Sequence, residues 1–67
     1  MAKIQLNGDK FEVGDNTNLN QLLKLLKISS NKVAIELNGE IAQKDKYDKI
    51  LIKKNDKIEI VQFIGGG

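Results

Sequence analysis

Few residues in this chain could do chemistry by themselves. Its 67 residues include no histidine and no cysteine. That removes the usual general base, the commonest metal ligand, any thiolate nucleophile and any disulfide framework. Asp45 and Asp48 lie close enough in sequence to suggest an acid–base pair, but Lys44, Lys46 and Lys49 surround them, and two solvated surface acids is the simpler reading. Tyr47, between them, reads as a packing aromatic with its hydroxyl in water. There remains the stretch "VQFIGGG". Gly65, Gly66 and Gly67 have no Cβ and lose more backbone freedom on ordering than any other residue, so three in a row contribute nothing to a core. Either this end is incidental, such as a loose terminus or a cloning scar, or it is the working part. In the second case the reactive group is the α-carboxylate of Gly67. That group is ionised at neutral pH.

Composition narrows the partners. Eleven basic residues, every one a lysine, stand against nine acids for a formal charge of +2. Lysine offers a point charge, whereas arginine supplies the planar fork that reads phosphate and guanine. The lysines are also interleaved with acids, as in "KDKYDK", which favours a solvated mixed-charge surface over a nucleic-acid patch. No apolar run approaches the roughly 20 residues needed to cross a bilayer, and Lys3 leads at once into an alternating pattern instead of a signal sequence. The expected location is the cytoplasm, with no membrane partner. The length allows one small domain with a marginal core.

The elements that would carry such an end follow from period and turn chemistry. Ile4 and Leu6 alternate on one face, as do Phe11 and Val13, and the Asn7–Gly8 pair between them is the strongest short hairpin signal. The stretch "GDNTN" is a loop in which Thr17 or Asn18 can cap a helix. Leu19, Leu22, Leu23 and Leu26 then form a helical stripe, too short to stand unsupported. Val33, Ile35 and Leu37 alternate inward up to a second Asn-Gly pair. The segment "IAQKDKYDKI" has no clean period and holds a short helical turn. "ILI" reads as a short strand and "KIEIVQF" as the last. The order ββ-α-β-β-β describes an α+β protein of the β-grasp type: a mixed sheet with one main helix packed across one face, its crossover right-handed. The opposite face has nothing in this chain to cover it. The expected core is Ile4, Leu6, Phe11, Leu22, Leu26, Ile35, Leu37, Ile58 and Ile60.

The phase of the last strand bears on the glycines. Ile58 and Ile60 point toward the helix. Lys57, Glu59, Val61 and Phe63 point away, so the solvent face turns apolar just before the tail, and Ile64 adds to it. Phe63 either packs under a neighbouring strand or belongs to an exposed docking patch. The expected division is a β-grasp domain over 1–63 and a C-terminal glycine tail over 64–67.

This pattern resembles the ThiS family of ubiquitin-like sulfur carriers from thiamin-thiazole biosynthesis. The likeness spans nearly the whole chain. It rests on "VAIELNGEI" with Asn38, Gly39 and Glu40, on "KKNDKIEI" with Asn55 and Asp56 where many relatives have Asp-Gly-Asp, and on "VQFIGGG", where Gly66 and Gly67 fill the family's di-glycine end. The resemblance implies a protein co-substrate and not an enzyme, a monomer when free, with no cofactor or metal of its own. An adenylating enzyme of the ThiF type would use ATP to convert the Gly67 carboxylate into an acyl-adenylate. A sulfur donor fed by a cysteine desulfurase would turn this into a thiocarboxylate. A thiazole synthase of the ThiG type would take the sulfur. Gly65, Gly66, Val61, Phe63 and Ile64 would meet these partners. Extended, residues 64–67 reach about 13–14 Å, and bare backbone suits a narrow channel. Ordering the tail costs about 1–2 kcal/mol per residue, which Val61, Phe63 and Ile64 are placed to offset. The small subunit of molybdopterin synthase is the neighbouring alternative, although it often has prolines before its glycines and this chain has none. A ubiquitin-like modifier and a β-grasp RNA-binding module are the others.

Overall fold

The computed structural model describes residues 1–63. Both Asn-Gly pairs form the expected turns: Asn7 and Gly8 have φ of 49° and 87°, and Asn38 and Gly39 of 52° and 87°, the paired positive values that match the right-handed twist of the strands. The first turn joins β1 (Ala2–Leu6) to β2 (Asp9–Val13), with Ile4 opposite Phe11. The second joins β3 (Val33–Leu37) to β4 (Glu40–Ala42). Strand β5 (Lys57–Gln62) lies between the hairpins, parallel to β1 and antiparallel to β3, so the sheet order is β2-β1-β5-β3-β4. The helix α1 (Leu19–Leu25) covers one face with Leu19, Leu22 and Leu23 buried. This is the β-grasp arrangement expected from the sequence.

One strand is corrected. The fourth strand was expected at "ILI", yet residues 50–52 form no strand, and Leu51 makes a single bridge, to Asn18. The fourth strand is Glu40–Ala42, because a two-residue turn forces the chain to pair at once with the strand it has just left. Residues 47–52 instead close the start of the helix. The first four N–H groups of a helix have no partner within it, and here each is accounted for. Leu19 donates to Ile50 O (3.2 Å) and Asn20 to Tyr47 O (3.4 Å). Gln21 donates to the Asn18 side chain (2.8 Å), while the Gln21 side chain accepts from Asn18 N–H (2.9 Å), a reciprocal capping box. Of the two capping candidates, Asn18 is the cap.

The far end of α1 carries no glycine. Leu26 is the C-cap and Lys27 follows at φ 60°. Lys27 N–H donates to Lys24 O (3.1 Å) and Ile28 N–H to Leu23 O (2.9 Å), a Schellman closure with lysine in the position glycine prefers. Lys27→Gly should raise the denaturant midpoint, by up to about 1 kcal/mol of stability, since a left-handed non-glycine residue costs about that much. A lower midpoint would mean that the Lys27 side chain contributes more than its backbone strain costs.

Of the expected core, Ile4, Leu22, Ile35, Ile58 and Ile60 are buried. Leu6, Phe11, Leu26 and Leu37 pack against that cluster but remain partly exposed; Leu26 sits at the end of the helix and cannot be enclosed by it. Tyr47, expected as a packing aromatic, does pack, and more deeply than the sequence suggests: it is 1 % exposed, the largest fully buried side chain among the described residues. A 3₁₀ turn at Lys44–Lys46 swings it under the helix start that its own carbonyl caps.

Candidate functional site

Strand β5 has two unlike faces. Ile58 and Ile60 are in the core. Val61 and Phe63 lie on the helix-free side and are 58 % and 56 % exposed, so Phe63 is a surface residue and not core. Its N–H still donates to Lys32 O (2.8 Å), which keeps the chain alongside β3 up to the last described residue. Across the sheet Val61 stands opposite Ala34, Glu59 opposite Glu36, and Glu36 in turn opposite Ile41. Ile41 is 67 % exposed. The outer face therefore holds an apolar corner at Val61 and Phe63, with Ile41 beyond a pair of facing carboxylates. Like charges directly opposite are unfavourable. Ile41 was missed in the sequence because its strand was not recognised. Ile64, Gly65, Gly66 and Gly67 lie outside the described residues.

The start of β5 is held by a polar network. Asn38 N–H donates to Lys57 O (2.7 Å), Lys57 N–H donates to Asn38 Oδ1 (2.8 Å), and Asn38 Nδ2 donates to Asp56 Oδ1 (3.0 Å). The other Asp56 oxygen accepts from Lys53 N–H (2.8 Å), and Asn55 takes φ 70°, the backbone that glycine would supply in an Asp-Gly-Asp turn. The Asn38–Glu40 segment and the Asn55–Asp56 turn, far apart in sequence, thus meet at one end of β5. The carboxylates first considered for acid–base work have other surroundings. Asp48 accepts from the Asn20 side chain, and its carbonyl accepts from Asn18 Nδ2, so it braces the start of the helix. Among the described residues no cluster of three or more His, Cys, Asp or Glu is placed to hold a metal, and no helix is long and apolar enough to cross a membrane.

The model of the ThiS family matches residues 3–67, from the first strand through the glycines. The chain belongs to the ThiS family. It is 35% identical to the sulfur carrier protein ThiS of Bacillus subtilis over 65 residues, covering 96% of this chain and 98% of that one. It is 40% identical over 65 residues to a thiazole synthase of Paramagnetospirillum magneticum, a match covering 97% of this chain but only 20% of that protein. Among solved structures, a ThiS thiamine biosynthesis protein from Geobacter metallireducens superposes with a TM-score of 0.83 at 32% identity, covering 97% of this chain and 99% of that one. The five-stranded sheet and single helix are thus the ThiS version of the ubiquitin-like β-grasp fold.

Proposed function

We propose that this chain is a sulfur carrier for thiazole formation in thiamin biosynthesis, with the carboxylate of Gly67 as the group that is loaded. The observation that carries the reading is the family match running through Gly67, on a domain whose last strand turns an apolar face outward at Val61 and Phe63. In the proposed cycle a Gly67 carboxylate oxygen attacks the α-phosphorus of ATP bound by a ThiF-like enzyme. A mixed anhydride with AMP forms and pyrophosphate leaves. A persulfide formed by a cysteine desulfurase attacks the acyl carbon and displaces AMP, which departs with one of the original carboxylate oxygens. A thiol reductant then cleaves the S–S bond of the acyl disulfide to leave its inner sulfur on the carrier. The resulting thiocarboxylate is the sulfur source for a ThiG-like thiazole synthase. The thiazole synthase of Paramagnetospirillum magneticum, with a similar stretch making up a fifth of its length, supports that last pairing. ATP belongs to the activating partner, and the carrier contributes a carboxylate, three terminal glycines without side chains and a docking face.

The test is the intact mass of the protein isolated from its native host with its sulfur pathway running. Exchange of one oxygen for sulfur at the C-terminal peptide is expected. Covalent adducts with other proteins and no thiocarboxylate would replace the carrier with a modifier.

Phe63→Ala should weaken binding to the adenylating enzyme more than it weakens folding, because the exposed part of the ring leaves water only in the complex. Titration calorimetry beside denaturant unfolding checks this. A large loss of stability with unchanged affinity would assign Phe63 to the fold alone.

A further inference from the structure

The C-terminal half of β5 has a ladder on one side only. On the other, β1 pairs with it at Gln5–Lys57 and Leu6–Ile58 and then ends. Beyond that point Asn7 takes over. Its backbone N–H donates to Ile58 O (2.9 Å). Its side chain then accepts from Ile60 N–H at Oδ1 (2.7 Å) and donates from Nδ2 to Ile60 O (3.3 Å). The carboxamide thereby engages both backbone groups of Ile60, as one more residue of a neighbouring strand would, across 53 positions of sequence. It does so from the left-handed position of the first hairpin turn. Past it the edge of β5 borders a groove lined by Leu6, Leu26 and Ile28, and among the described residues no strand holds Val61 and Phe63 from that side.

We infer that Asn7 is a positioning residue for the carrier reaction: its carboxamide fastens Ile60 and so fixes the part of β5 that presents Val61 and Phe63 and leads toward the tail. The inference rests on the carrier reading for its functional consequence, while the clamp itself is a property of the free protein. Two variants separate clamp from turn. Gly and Asp both suit the first position of this turn. Asn7→Gly removes the carboxamide, and Asn7→Asp replaces the Nδ2 donor with an oxygen facing the Ile60 carbonyl.

Amide hydrogen exchange of the free protein is the first readout. Ile60 N–H should exchange about 5- to 30-fold faster in Asn7→Gly, the factor expected from losing one or two net hydrogen bonds, while Leu22 and Ile35 change far less. The second readout is steady-state adenylation. KM for the carrier should rise by a similar factor in both variants with kcat nearly unchanged, because an unfastened β5 end must be ordered on docking but reaches the same complex. An evenly distributed rise in exchange with unchanged KM would make Asn7 a turn residue only and overturn the inference, as would unchanged Ile60 protection. If the parent protein is itself not adenylated, the carrier reading fails, and exchange at Ile60 still decides whether the clamp exists.

Discussion

Deleting Gly67, or adding one residue after it, is expected to abolish ATP–pyrophosphate exchange with the adenylating enzyme and all thiocarboxylate formation, with thermal unfolding unchanged. The proposed chemistry and the described core lie in different parts of this chain. Every residue of the described core lies between Ala2 and Ile60, so no core contact described here is removed by altering position 67. The proposed reaction, by contrast, takes place at a single carboxylate. Deletion moves that carboxylate about 3.3–3.6 Å back along an extended chain, far outside the tolerance of a reacting group, where an error of 1 Å can cost about 10²-fold. Gly66→Ala should fall between the parent and the deletion, because a Cβ restricts φ and would hinder entry into a partner site that takes bare backbone. Pyrophosphate exchange, C-terminal peptide mass and a melting curve on the same samples check all three variants. An extended protein that still supports thiazole formation without being trimmed would remove Gly67 from the chemistry.

The largest effect on folding is expected at a residue with no part in that chemistry. Tyr47→Ala should destabilise the domain by about 3–5 kcal/mol, the usual cost of emptying a buried aromatic site. A domain this small has about 3–10 kcal/mol in total, at 0.05–0.15 kcal/mol per residue, so the variant should be largely unfolded on moderate warming. The loss should exceed that of one ring. Tyr47 O accepts from Asn20 N–H, and Ile50 O from Leu19 N–H, so a displaced segment also uncaps the helix. Tyr47→Phe keeps the ring and should stay within about 1.5 kcal/mol of the parent, as volume-conserving core changes do. Denaturant midpoints of the pair, with helix content followed by circular dichroism, test this. An unchanged midpoint for Tyr47→Ala would mean that the segment closes over the helix without it.

The local elements were legible in the sequence because their causes are local. Two Asn-Gly pairs specify two turns through the positive φ each requires. The leucine spacing specifies which face of α1 is buried. The period of two in β5 places Val61 and Phe63 opposite Ile58 and Ile60, and both are exposed as that phase demands. The glycine end stood out by elimination, since a chain without histidine or cysteine offers little else, and it lies outside the described residues.

What the sequence left open depends on which segments lie side by side. Strand β4 and the burial of Tyr47 follow from how residues 40–52 are folded back, in a stretch with no period to read. Lys27 ends the helix in a conformation that gives no signal, because a lysine adopts it only when surrounding contacts outweigh the strain. The two asparagines show the limit best. Each looks like a turn residue and is one, yet Asn7 also fastens Ile60 and Asn38 also fastens Lys57. Those bonds exist only because β5, the last strand in the chain, is inserted at the centre of the sheet between the two hairpins. A carboxamide has the same hydrogen-bonding groups in any turn, and only the neighbouring strand determines what they hold.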